Sequence, residues 1–207
     1  LIIIDDGSSD LSGIICDKMS KQDSRIKVYH LINSGVSAAR NYGLSCAQGS
    51  LICFIDSDDK MCSNALNIIV ESAIDTDLLI YGYNVYPSGI KQGFSSTKTY
   101  SSIIQFADDF KRIHQYHLMN CVWNKCFKKS IVDQYQCRFP VGISMGEDLL
   151  FILFYIKGCK KIKIINSILY DYNTGISGSL SKKYSMDAFA IQKLLKDTTD
   201  KTFSRHS

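Results

Sequence analysis

Residues 1–10 read Leu-Ile-Ile-Ile-Asp-Asp-Gly-Ser-Ser-Asp, and residues 51–59 read Leu-Ile-Cys-Phe-Ile-Asp-Ser-Asp-Asp. Each is a short apolar run that stops in carboxylates. Runs this short and this apolar predict strands buried on both faces. Helical patterns separate the predicted strands. Ile14, Ile15 and Met19 recur at helical spacing, Ile26 to Leu31 alternates as a strand, and Ser37 is placed to cap a helix running to Ala47. Ser63 opens a helix with Ala65, Leu66, Ile69, Val70 and Ala73 on one face, and Leu78 to Val85 is a further strand. Alternating strand and helix predicts an α/β fold with a mostly parallel sheet flanked by helices. Ligands of such sheets bind beyond the carboxyl ends of the strands, which is where both acidic clusters fall.

After Val85 the pattern loosens. Pro87-Ser88-Gly89 and Gln92-Gly93 are turns, Ser101 to Ile113 and Glu147 to Ile156 are helical, and Lys160 to Tyr172 is extended. Residues 182–207 read as a polar tail or a cut helix.

Four clusters could carry chemistry. Asp56 and Asp58 stand at i and i+2, so on extended backbone both carboxylates face one way, a hard-oxygen arrangement suited to Mg²⁺ or Mn²⁺. The plain alternative is a polar loop. Asp5 and Asp6 could accept from a ribose hydroxyl or a base N–H, while helix capping accounts for Ser8, Ser9 and Asp10 unaided. In Asn33-Ser34-Gly35-Val36-Ser37-Ala38-Ala39-Arg40-Asn41, Arg40 suits a diphosphate, or is a surface residue of an ordinary helix. In Gly146-Glu147-Asp148 a carboxylate at a helix start stays ionised and could act as a general base, or only stabilises that helix.

Taken in order, these pieces resemble a family-2 glycosyltransferase with the Rossmann-like GT-A fold. The likeness runs from Leu1 to about Asp59 and resumes at Trp123-Asn124-Lys125, Gly146-Glu147-Asp148 and Gly178-Ser179-Leu180-Ser181. The resemblance implies one GT-A domain: a nucleotide-sugar-binding part at 1–100, an acceptor-side part at 101–181, and 182–207 as the tail. It implies that Asp5 or Asp6 contacts the nucleoside and that Asp56 and Asp58 form a D-x-D motif, Asp58 foremost as metal ligand for Mn²⁺ or Mg²⁺. Arg40 would lie near the diphosphate. Asp148 would be the base, with Glu147, Trp123 and Lys125 lining the acceptor side; for Trp123 a core position is an equal alternative. The implied reaction is an inverting transfer from a nucleotide-sugar donor, UDP-linked first, to a glycan or lipid-linked acceptor in surface polysaccharide synthesis. The chain departs from the family in lacking its first strand and helix, in carrying Asn173 where relatives often have arginine, and in ending abruptly at Ser207. These departures lead to the expectation that the 207-residue piece alone is poorly folded or inactive. A phospho-receiver domain is a rival, but Asp56-Ser57-Asp58-Asp59 lacks the Met-Pro that follows a receiver's phosphorylated aspartate. A relative that binds nucleotide without catalysis is another.

Composition bounds the rest. A chain of 207 residues that is 45% hydrophobic and 21% charged is neither disordered nor fibrous. The longest apolar run, Leu149 to Ile156, is far short of the roughly 20 residues of a membrane-spanning helix. No signal peptide is visible, and a chain opening on Leu1 suggests a start farther upstream. Eight cysteines without a C-x-x-C pair read as reduced core thiols of a cytoplasmic protein, Cys46, Cys53 and Cys159 among them. Residues 1–120 carry 10 Lys/Arg against 13 Asp/Glu, whereas 121–207 carry 14 against 7. The basic half is a solvated surface or makes peripheral contact with the inner face of an anionic membrane. No nucleic-acid motif accompanies it.

Overall fold

The first apolar run forms strand β1 (Ile2–Asp5), which helix α1 (Ser12–Gln22) connects to β2 (Lys27–His30). This is a computed structural model, and it describes residues 1–143, 145–175 and 188–204. The two strands pair in parallel, from Ile2 opposite Lys27 to Asp5 opposite His30. Helix α2 (Val36–Cys46), β3 (Leu51–Cys53), β4 (Lys60–Met61), α3 (Ala65–Ser72) and β5 (Leu78–Tyr86) follow. Then come β6 (Ile90–Gln92), β7 (Lys98–Tyr100), α4 (Ile103–Gln115), β8 (Lys125–Lys128) and α5 (Lys129–Gln134), and finally α6 (Glu147–Ile156), β9 (Ile162–Asn173) and α7 (Ala188–Ser204).

Strands β5 and β9 form the parallel centre of a second sheet ordered β3-β8-β5-β9-β4, with β6 on β5 and β7 on β9. The α/β class with helices flanking a central sheet holds, but the sheet is mixed rather than mostly parallel. Among the described residues two of the seven strand pairings are parallel and five antiparallel. The reason lies in the later strands: β6 returns on β5 through the tight turn at Pro87-Ser88-Gly89, and β8 inserts between β3 and β5 running against both.

The core is aromatic and centres on α6. Phe139 lies flat on Phe151 with centroids 4.2 Å apart, and Phe127 meets Phe54, Phe151 and Tyr155 edge-on. Helix α6 is buried around most of its circumference, because α7 packs against it as well as against α4. Phe203 of α7 packs on Phe110 with the rings tilted and their centroids 4.7 Å apart. Part of the expected tail is thus a docked helix; Gly178 to Ser181 lie outside the described residues.

Three local expectations are corrected. The strand at Leu1–Ile4 is not fully buried: Leu1 is exposed and Ile2 to Ile4 are half-buried, and the apolar residues Leu11, Ile14, Ile15 and Met19 face outward. Helix α3 buries Ala65 and Ile69, and its C-cap Ala73 four residues on is buried too, while Leu66 and Val70 point away. The helix from Val36 takes Gly35 as its N-cap, and Ser37 is buried in the first turn with no partner for Oγ among the described residues. Of the thiols, Cys159 is in the core, whereas Cys46 and Cys53 are half-buried.

This distribution predicts a sharp contrast. Phe151→Ala should cost about 3–5 kcal/mol, and Ile14→Gln should change stability by no more than ~0.5 kcal/mol, both read by urea unfolding.

Candidate active site

The site is assembled at one guanidinium. Arg40, in the second turn of α2, donates from Nη1 to Asp148 Oδ1 at 2.6 Å and to Glu147 Oε1 at 3.4 Å, and from Nη2 to Asp56 Oδ1 at 3.0 Å. The strand-end acid Asp56 and the helix-start acids of α6, about ninety residues apart in sequence, therefore share one counter-ion. The Arg40 side chain is 11% exposed, and those of Glu147 and Asp148 are 13% and 10% exposed.

Each member is placed by its own neighbours. Arg40 lies over the Phe139 ring at 5.4 Å. Next to it, Asn41 donates to the Phe139 carbonyl at 2.9 Å and accepts the Phe139 N–H at 2.8 Å. Because Phe139 stacks on Phe151, α2 is fastened to α6. Gly146, at φ +84°, supplies the left-handed residue that turns the chain into α6 and sets Glu147 and Asp148 at its first turn. The Tyr170 hydroxyl donates to Asp59 Oδ2 at 2.8 Å and accepts the Asp56 N–H at 3.1 Å, while the Asn173 N–H donates to Asp59 Oδ1 at 2.7 Å. β9 thus holds the loop that carries Asp56 and Asp58.

Asp148 accepts a second bond, from the Val122 N–H to Oδ2 at 3.0 Å. Burial pushes its carboxyl up to about 6, against the pull of Arg40 and with further upward pressure from Glu147 and Asp56. Burial also pushes Asp59 up to about 6.

Asp5 and Asp6 lie at the end of β1, and their oxygens bind the chain itself. Asp5 accepts the Ser8 N–H at 2.9 Å and meets His30 Nδ1 at 2.8 Å; the Ser8 bonds and then His30 hold its carboxyl at about 2. Asp6 accepts the N–H groups of Ser34 and Gly35 at 2.9 and 2.8 Å. The turn between them needs Gly7: its φ is +76°, and a Cβ there would meet the Asn33 nitrogen at 2.9 Å.

Trp123 and Lys125 do not line an open surface. Trp123 is 5% exposed, stacked between Tyr170 at 4.5 Å and Tyr172 at 5.1 Å with Tyr83 edge-on at 4.7 Å. Lys125 is fully buried, and its ammonium donates to the carbonyls of Leu118 and Cys121 and to Asn124 Oδ1. Burial lowers its pKa to about 8, so it remains protonated at neutral pH. Sequence reasoning missed Phe139 and Tyr170, and it quoted Asn41 and Asp59 within the candidate clusters without giving either a role.

Among the described residues no group of three His, Cys, Asp or Glu side chains is placed to hold a metal ion. Asp58 is exposed, and its carboxylate has no hydrogen-bond partner among the described residues, while Asp56 is tied to Arg40. The Asp56 carbonyl accepts the Asp59 N–H at 3.1 Å, so residues 56–59 form a turn and not the extended backbone expected to set both carboxylates on one face. What the pair retains is one free and one partly engaged carboxylate, a donor set suited to a cation whose remaining ligands are phosphate oxygens and water.

The family described as Glycosyl transferase family 2 matches residues 1–136. The chain belongs to that family. It is 29% identical over 204 residues to the putative glycosyltransferase EpsH of Bacillus subtilis, covering 96% of this chain and 58% of that protein. To the minor teichoic acid biosynthesis protein GgaA of the same organism it is 37% identical over 124 residues, covering 56% of this chain and 28% of GgaA. Its fold matches that of S. aureus TarS 1–349 in complex with UDP-GlcNAc, with a TM-score of 0.80 at 18% identity over 99% of this chain and 61% of that one. The chain thus spans under two thirds of each of these proteins.

Two folded-state carboxyls near 6, against about 3.8 unfolded, set the sign of the acid response. Between pH 4 and 6 these two groups hold more protons in the native state than in the unfolded one, so their contribution to stability falls as pH rises. Asp148→Asn should flatten that fall by removing one of the two contributors, leaving that of Asp59. Arg40→Met should cost about 3 kcal/mol, because it strands buried carboxylates. Denaturant melts across this pH range check both.

Proposed function

We propose that this chain carries the catalytic domain of an inverting glycosyltransferase, which moves a sugar from a nucleotide-linked donor to a hydroxyl of a glycan or lipid-linked acceptor. The observation that carries this reading is the Arg40 junction. It brings a metal- and phosphate-suited strand end, Asp56 to Asp58, within one side chain of a buried carboxylate of raised pKa, Asp148. The TarS fold match, to a protein solved with UDP-GlcNAc, favours a UDP-linked donor. The GgaA likeness favours an acceptor in cell-surface polymer assembly.

In the proposed reaction Asp148 accepts the proton of the acceptor hydroxyl. The freed oxygen pair forms a bond to the anomeric carbon from the face opposite the diphosphate. The bond between that carbon and the diphosphate oxygen breaks, its electron pair leaves with the nucleoside diphosphate, and the anomeric centre inverts. A carboxylate with pKa about 6 is mostly ionised at neutral pH and is a better base than one near 4. Arg40 has two jobs. In the unliganded site it is the shared counter-ion of three carboxylates, and an incoming diphosphate competes for the same guanidinium, which frees Asp148 Oδ1 for the acceptor. Asp58, with Asp56, would hold Mn²⁺ or Mg²⁺, which when bound supplies charge neutralisation to the leaving diphosphate. Asp5 and Asp6 retain acceptor capacity for the nucleoside beyond their loop bonds. Glu147 faces the same space and shapes the acceptor side.

No described helix is long and apolar enough to cross a membrane. The positive surplus after residue 120 supports peripheral contact with an anionic membrane face, where a lipid-linked acceptor would be met.

UDP with Mn²⁺ should raise the melting temperature by about 5 °C at saturating concentration, more than GDP, CDP or dTDP, and Asp58→Asn should abolish the metal-dependent part. No shift with any nucleotide would overturn the donor reading. In the protein as the cell makes it, Asp148→Asn should lower turnover by about 10²–10⁴-fold and leave UDP binding intact.

A further inference from the structure

Lys125 is the most deeply buried cation described, and it contacts no carboxylate. Its three N–H donors are matched by three acceptors: the Leu118 carbonyl, the Cys121 carbonyl at 2.6 Å and Asn124 Oδ1 at 2.6 Å. Asn124, equally buried, donates to the carbonyls of Leu118 and Tyr81 at 3.3 Å. The segment between α4 and β8 is thereby wrapped around one ammonium group.

The Cys121 carbonyl and the Val122 N–H belong to the same peptide unit. Lys125 binds the oxygen end of that unit, and Asp148 Oδ2 binds its hydrogen end at 3.0 Å. In a planar trans peptide the two groups point in opposite directions. The unit therefore stands between a cation and an anion with its dipole aligned to both, an arrangement in which each hydrogen bond strengthens the other. A Met of similar length would fill this space without the desolvation cost of a charge. The Met would, however, leave the Cys121 carbonyl without the donor that Lys125 supplies.

The geometry points to Lys125 as a positioning residue that acts through the Cys121–Val122 peptide to orient the Asp148 carboxylate. This rests on the reading of Asp148 as the base. It also replaces the acceptor-lining role expected for Lys125: the side chain acts from inside, behind the base, and meets no substrate.

The test is an NMR comparison of the protein as the cell makes it with its Lys125→Met and Asp148→Asn variants. In Lys125→Met the Val122 amide should exchange with solvent about tenfold faster, and the Asp148 carboxyl should titrate about one pH unit higher. The melting shift given by UDP and Mn²⁺ should not change, because Lys125 touches neither Asp56 nor Asp58. An unchanged Val122 amide together with an unchanged Asp148 midpoint overturns the proposal. If Lys125→Met does not fold, the Lys125 ammonium resonance decides: it should differ between wild type and Asp148→Asn, and identical resonances overturn the proposal. Failure of the underlying reading looks different. Asp148→Asn would then keep full turnover while the Lys125 and Val122 signals still followed Asp148.

Discussion

One guanidinium sets the terms for the rest of the molecule. Arg40 stands among Asp56, Glu147 and Asp148 with little water around it, so the three acids can share a small volume only while that cation is present. Three carboxylates drawn together without it would repel one another and be forced towards protonation. The junction also fixes geometry. It ties α2, the loop after β3 and the start of α6 to a common point, and Asn41 and Phe139 brace it from the side.

Such a site is costly to hold together, and the surrounding structure offsets the cost with aromatic packing and backbone hydrogen bonds. Phe139 on Phe151 anchors one side, and Trp123 on Tyr170 the other. Tyr170 joins these two roles: its ring packs on Trp123, and its hydroxyl grips the loop from Asp56 to Asp59. Members of the Trp123-Asn124-Lys125 tripeptide thus support both acidic clusters from behind, Trp123 through Tyr170 and Lys125 through the Cys121–Val122 peptide.

The parts of this arrangement that could be read in the sequence are those governed by local rules. Acids that end apolar runs announced the strand ends, and Gly146 followed by two acids announced α6 with the bounds it has. Contacts between distant segments could not be read this way. The pairing of β3 with β8 joins residue 52 to residue 127, and no periodicity encodes whether that pairing is parallel. The resemblance put Lys125 on the acceptor side, and its burial in a cage of carbonyls, unusual for a lysine, could not be read from the sequence. Trp123 was balanced between core and site, and the structure buries it against Tyr170 and Tyr172. Tyr170 sits in a strand whose alternation says that it points inward, but not that its hydroxyl ends on Asp59. The outward-facing Ile14 and Ile15 show the converse: helical spacing identified the apolar face of α1 without telling what covers it.

Membership of glycosyl transferase family 2 and the proposed roles of Asp58 and Asp148 meet in a single spatial requirement. The diphosphate must sit on the Asp56–Asp58 side of Arg40 while the anomeric carbon faces Asp148. A crystal structure with UDP and Mn²⁺ tests this most directly. The predicted result is the cation on Asp58, diphosphate oxygens completing its coordination, and Arg40 drawn off Asp148 towards the phosphates. UDP bound away from the Asp56–Asp58 loop, or bound there with the Asp148 side sealed off from its β-phosphate, would contradict it.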